Sequence, residues 1–182
     1  MDPVFEGSAN AYDYCGQDPL NCSDLGGTYS YTYNWDLGSI ADLGNAAQVM
    51  VYFRAHFKDV FPFPITGCKT LTNGSTCDLH AGFYVDFING NGTVRLSNVT
   101  AEKLYFTVTS RNYFDPPGSS ITFQTYDSGG QVYLRQSGNA PGRPQIYADI
   151  AYVIWGQQAA NLAEGDYGAR HPCTWDCFIA GI

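Results

Sequence analysis

The feature that most constrains this chain is a series of short segments between residues 82 and 136, rich in aromatic and β-branched side chains and bounded by turn residues, that read as strands. A period of two places alternate side chains on opposite faces of a strand. The segments are 82–87 (GFYVDF), 93–97 (TVRLS), 104–110 (LYFTVTS), 120–126 (SITFQTY) and 131–136 (QVYLRQ). Asn89-Gly90-Asn91-Gly92 and Asp127-Ser128-Gly129-Gly130 separate neighbours and read as tight reversals, so the pairing is antiparallel. Residues 111–118 (RNYFDPPG) and 137–144 (SGNAPGRP) read as loops. Residues 28–35 (TYSYTYNW), which precede the series, alternate hydroxyl or amide with aromatic side chains, the period of a half-buried strand.

Two helical patterns flank this block. Residues 39–61 carry Leu43, Ala47, Met50, Phe53, Phe57 and Val60 at i+3/i+4 spacing. Ser39 is placed to cap the helix, Asp42 lies in the first turn, and Phe61-Pro62-Phe63-Pro64 stops it. Residues 145–164 carry a looser stripe of Ile146, Ile150, Val153, Ile154, Gln157 and Leu162, widened by Tyr147, Tyr152 and Trp155, with Gly165 as the C-cap. Strand, helix, several antiparallel strands and helix predict an α+β fold. A curled antiparallel sheet packs on two amphipathic helices, in a helix-grip or cystatin-like outline.

Composition narrows the function classes. Net charge is −8, with only nine Lys and Arg and no basic run, which argues against binding nucleic acid through its phosphates. No stretch approaches the ~20 apolar residues of a transmembrane helix. The first residues lack the basic and apolar pattern of a signal peptide. Six cysteines fall in close pairs: Cys15 and Cys22, Cys68 and Cys77, Cys173 and Cys177. Pairing within each couple is the favoured arrangement, and Asn73-Gly74 supplies a reversal between Cys68 and Cys77. Disulfides imply an oxidising destination. The cysteine spacings do not match a zinc site and the histidines are scattered, so neither a metal nor another cofactor is expected.

Motifs for nucleotides, serine nucleophiles and zinc proteases are absent. Looser constellations remain. Cys77-Asp78-Leu79-His80 puts a candidate acid–base His80 near an acid, although a disulfide cysteine, a turn Asp and an exposed His are the favoured explanation. The 111–118 loop offers Arg111 for an anion and Asp115 as a base. Glu164, Asp166, Arg170 and His171 form a third group, with His171 the candidate catalyst. His56 reads as a rim or surface histidine. Tyr105, Tyr126, Tyr133 and Trp155 are the candidate lining of a ligand pocket between sheet and helix, or else simply core.

Residues 1–27 are of a different kind: Gly-, Asp- and Asn-rich, with two Asp-Pro steps and no apolar periodicity. Asp2, Pro3, Gly7, Asn10, Tyr12, Tyr14, Asp18, Pro19, Asp24 and Gly27 stand at the spacing that closes the core of Rhs, or YD-repeat, polymorphic toxins, which this stretch resembles. Phe5, Glu6 and Leu25 depart from that pattern, and Cys15 and Cys22 are additions to it. The resemblance implies that residues 1–27 end an Rhs-type shell and that residues 28–182 are a C-terminal toxin domain. The implied partners are the parent shell and an immunity protein; the implied destination is extracellular, with delivery into a target cell. The alternatives are a disulfide-stapled extracellular binding domain without enzymatic activity, or a plug of the shell.

Overall fold

A computed structural model of the chain describes residues 28–81, 90–111, 113, 115–142 and 147–171. The segments 1–27, 82–87 and 173–177, with the cysteines Cys15, Cys22, Cys173 and Cys177, lie outside the described residues.

Seven strands form one antiparallel sheet: β1 (Thr28–Ser39), β2 (Ile65–Thr66), β3 (Thr76–His80), β4 (Asn91–Ser97), β5 (Lys103–Val108), β6 (Ser120–Ser128) and β7 (Gln131–Pro141). Their spatial order is β1-β7-β6-β5-β4-β3-β2, so the first strand closes against the last. The sheet curls around the long helix α4 (Tyr147–Arg170), while α1 (Ile40–Leu43), α2 (Ala46–Ala55) and α3 (Phe57–Val60) cover the rest of its concave face. This is the helix-grip arrangement expected from the order of elements. Among the described residues, no helix is long and apolar enough to cross a membrane.

Alternation sets the faces. Leu104, Phe106 and Val108 on β5, Phe123 and Thr125 on β6, and Val132, Leu134 and Gln136 on β7 all point inward and are buried. They meet Met50, Phe53, Phe57 and Val60 from the helices in one core. Phe53, Phe61, Phe106, Phe123 and Trp155 pack edge to face or tilted, with ring centroids 5.3–6.5 Å apart for the contacting pairs.

Several expectations change. The predicted helix 39–61 is three pieces. Ser39 does cap the first, its Oγ accepting from Asp42 N at 3.1 Å. Gly44, at φ +73°, then ends α1, a backbone state that costs glycine little. Asn45 starts α2 with a reciprocal capping box: Asn45 Oδ1 accepts from Gln48 N, and Gln48 Oε1 from Asn45 N. The new helix is tied to the sheet, since Ala46 N donates to Asp127 Oδ1 at 2.9 Å and Thr125 Oγ1 donates to Ala46 O at 2.7 Å.

The predicted loop 137–144 is largely strand, because residues 137–141 pair with residues 28–32 of β1. β1 itself runs on to Ser39 through a bulge at Leu37, where the register slips between Asp36 and Gly38. Residues 93–97 pair with β3 on one side and β5 on the other, so β3 is strand where a turn is expected, and Asn91 and Gly92 are strand residues of β4 rather than turn residues. Finally, α4 passes through Gly165 to Arg170. A side chain at Gly165 would meet the Tyr52 hydroxyl at 2.7 Å, so this glycine permits close packing and is not a cap.

The Cys68–Cys77 bridge is present, with Cα atoms 4.8 Å apart. It ties the loop after β2 to the inward face of β3.

Candidate ligand cavity

The concave face and α4 do not close completely on each other. Between them lies a cavity in two lobes of about 40 Å³ each. The inner lobe is walled by sheet and helix residues including Phe61, Phe106, Ile121 and Phe123. The outer lobe lies between Phe63, Ala81 and Gly90 on one side and Ile150, Ala151 and Ile154 of α4 on the other. Tyr31, Tyr113, Asp115 and Trp155 line both lobes.

Each of these four is set by its element. Tyr31 faces inward on β1 opposite Gly138 of β7. Its ring fills the space a side chain at Gly138 would need, 2.2 Å from that Cβ position. The Trp155 indole Nε1 donates to the Tyr31 hydroxyl at 2.6 Å, locking the helix side of the cavity to the sheet side. Tyr113 lies across β4 where Gly92 has no side chain, at 2.3 Å from the Cβ position. Burial, with a smaller contribution from the neighbouring Asp115 carboxylate, pushes the Tyr113 phenol well above its usual range. Tyr113 therefore stays protonated at any physiological pH. Asp115 lies in the connection between β5 and β6 and lines both lobes.

Above the cavity a buried amide pair spans the core. Gln136 Nε2 donates to Gln158 Oε1 at 2.6 Å and to Trp155 O at 3.3 Å, and Trp35 Nε1 donates to Gln136 Oε1 at 2.6 Å. Both glutamines are fully buried, and Gln158 Nε2 has no hydrogen-bond partner among the described residues.

Of the candidate pocket aromatics, only Trp155 is in place. Tyr105, Tyr126 and Tyr133 sit on the opposite parity of their strands, on the convex face. There Tyr126 and Tyr133 stack at 5.3 Å, Arg135 lies over the Tyr126 ring at 4.9 Å, and Asn34 Oδ1 accepts from both Tyr126 OH and Arg135 Nε. They fall outside because the inward phase is set by Leu104, Phe106, Phe123 and Leu134. On α4, Val153 and Gln157 are exposed, and the buried stripe is instead Ala151, Trp155, Gln158, Ala159, Leu162 and Asp166.

The candidate acid–base groups are not gathered. His80 is exposed on β3 and bonds Thr66 Oγ1 through Nε2 at 2.8 Å. His171 follows the end of α4, exposed and stacked on Tyr167. Arg111 is exposed on the loop. Asp115 alone of these reaches the cavity. Asp166 and Arg170, grouped with His171 in the sequence, pair with each other at 3.0 Å. Asp166 is buried there, and that burial raises its pKa against the opposing pull of Arg170 and His56. His56 is exposed and stacks on Tyr52. Cavity residues missed in the sequence include Tyr31, Phe61, Phe63, Tyr113 and Phe123. Tyr31 and Phe123 lie in segments read correctly as strand, so the inward phase is the signal that would have selected them.

No family model matches the chain, and no curated protein matches it. Solved structures do. The Aha1 dimer from Colwellia psychrerythraea aligns at TM-score 0.52 and 11% identity, over 76% of this chain and 94% of that one. The protein XoxI from Bacillus cereus aligns at 0.53 and 15%, over 75% and 94%. The di-domain ARO/CYC StfQ from the steffimycin biosynthetic pathway aligns at 0.53 and 10%, over 80% of this chain and 52% of that one. The chain thus spans about half the length of StfQ. At such identities the likeness is one of fold: a curled antiparallel sheet gripping a C-terminal helix.

Proposed function

We propose that residues 28–171 are a binding domain that encloses a small apolar or aromatic molecule between the curled sheet and α4. The observation that carries this reading is the apolar space that sheet and helix leave between them, walled by both and edged by a few polar groups, the general form of a small-molecule site. The lobes are small. A ligand of drug size, needing about 300–1,000 Å³, requires sheet and helix to move apart. The scattered His80 and His171 favour binding over acid–base catalysis. The Cys68–Cys77 bridge supports an oxidising destination.

Titration with Nile red, a neutral solvatochromic dye, tests the reading. A saturable blue shift is expected, and A151F, which fills the outer lobe, should abolish it while far-UV circular dichroism stays native. A folded wild-type protein that takes up neither Nile red nor naphthalene, each offered up to its aqueous solubility, overturns it.

A second reading concerns how the domain is carried. The Rhs-type spacing in residues 1–27 favours a payload attached to an Rhs shell, acting on a target cell and held in check by an immunity protein. Producing residues 28–182 in a bacterial cytoplasm, and separately in a periplasm, should then stop growth in one compartment. Growth in both, with folded protein recovered, removes that reading and leaves the binding domain standing.

A further inference from the structure

A second recess, an open groove of about 470 Å³, lies on the convex side of the sheet over β4 and β5. That volume is within the range of small-molecule sites. Arg95, Ser97 and Thr107 line it from the strands. Arg95 and Ser97 have the outward parity on β4, alternating with buried Val94 and Leu96, and Thr107 is the cross-strand neighbour of Arg95 on β5. Asn98 and Thr109 line it just beyond the two strands, and Asn73 lines it from the turn before β3. That turn is pinned to β4. Gly74 N donates to Leu96 O at 2.9 Å, Leu96 N donates to Ser75 O at 2.8 Å, and Val99 N donates to Asn73 Oδ1 at 2.7 Å. The Cys68–Cys77 bridge closes the loop that carries the turn.

The groove is the chemical opposite of the cavity. Among the described residues that line it, Arg95 is the single charged side chain and Leu96, turned to the core, is the single large apolar one. The Arg95 guanidinium, the Ser97 and Thr107 hydroxyls and the Asn98 amide make no hydrogen bond or ion pair with the described residues. A guanidinium takes a carboxylate through two parallel hydrogen bonds. Hydroxyls and primary amides both donate and accept, as sugar hydroxyls do. A free phosphate would leave that accepting capacity unused. The net charge of −8 repels anions from the chain at large, so an anion held here depends on this one local cation. We propose that the groove binds a sugar acid, with its carboxylate on Arg95 and its ring hydroxyls on Ser97, Asn98 and Thr107. This site is separate from the cavity and independent of the reading built on it.

Amide-resolved NMR spectra of the full chain at neutral pH, titrated with glucuronate, glucose and cyclohexanecarboxylate, separate the contributions. Glucuronate should saturate at millimolar concentration and shift the amides of residues 73–75, 95–98 and 107–109. Glucose lacks the carboxylate and cyclohexanecarboxylate lacks the hydroxyls. Each should bind about tenfold or more weakly, the size expected for losing the charged pair or several neutral hydrogen bonds. R95Q should bring glucuronate down to the level of glucose with an otherwise native spectrum. R111Q, which removes an exposed arginine outside the groove, should leave glucuronate binding intact and so exclude a net-charge effect. Glucose or cyclohexanecarboxylate binding as tightly as glucuronate to the wild-type protein overturns the proposal, and that comparison needs no variant. Glucuronate binding that survives in folded R95Q, shifts that fall on other residues, or no saturable shift at all also overturn it. The cavity reading stands or falls separately, on Nile red.

Discussion

The two faces of the sheet share every backbone hydrogen bond and yet behave as different materials. On the concave side Leu104, Phe106, Phe123 and Leu134 are at most 3% exposed and interlock with α2 and α4. On the convex side Tyr105 and Tyr133, their immediate neighbours in sequence, and Tyr126, three residues after Phe123, are part-exposed, and the two that stack do so beside a cation and an amide. Aromatic content is similar, but its effect is not. A ring buried on all sides contributes packing and desolvation together, whereas a ring lying on a wet surface keeps much of its hydration. The concave face therefore holds both the stability and the cavity, and the convex face around Tyr126 is free to vary.

Four substitutions can break this contrast. The largest effect is expected for F123A. Phe123 touches Phe53, Phe61, Phe106 and Trp155, so its loss should cost about 3–5 kcal/mol in urea unfolding. A cost below about 1.5 kcal/mol would mean that the core is not the tight cluster described.

Next is Q136M, which keeps the volume but strands the Trp35 indole N–H and the Gln158 carbonyl oxygen. A loss of about 2–3 kcal/mol is expected from unpaired buried groups. A neutral result would mean that water already serves these atoms.

The third is D166N, read as a pH profile. Because burial raises the folded-state pKa of Asp166, the folded protein holds this proton more tightly than the unfolded chain. Its contribution is therefore most favourable below the unfolded carboxylate pKa near 4 and is lost as pH rises through the higher folded value. Wild type should gain stability relative to D166N as pH falls from neutral toward 4, and the opposite slope would show that the Arg170 pair dominates.

The smallest effect is expected for Y126F on the convex face, where losing one exposed hydrogen bond to Asn34 should change stability by no more than about 0.5 kcal/mol. A cost comparable to that of F123A would erase the distinction between the faces.

Parts of the candidate site could be read in advance and parts could not. Trp155 lies in the predicted terminal helix, one face of which must pack on the sheet. Asp115 was selected because a loop between two strands presents its polar residues at a sheet end. Tyr105, Tyr126 and Tyr133 were selected for their chemistry alone, and period two says only that neighbours alternate. Which set is inside depends on what the other elements bury. The split of the first helix was legible in principle, since Gly44 and the Asn45-x-x-Gln48 box are local signals. The continuation of α4 through Gly165 was not, because that glycine answers to Tyr52, more than a hundred residues earlier.

By itself the sequence determined the class of fold, with antiparallel strands from strand-forming segments and glycine turns and helices from their apolar spacing, and it favoured, without fixing, the Cys68–Cys77 bridge that the structure contains. These are local matters, decided by backbone preference within a few residues. Only the tertiary structure decided which face of each strand is buried, that β1 closes against β7 instead of a neighbour in sequence, and that Tyr31, Tyr113, Asp115 and Trp155 line one cavity. Those depend on how the sheet curls around α4. The curl is a collective result of bulge, register and core volume that no short stretch of the chain contains.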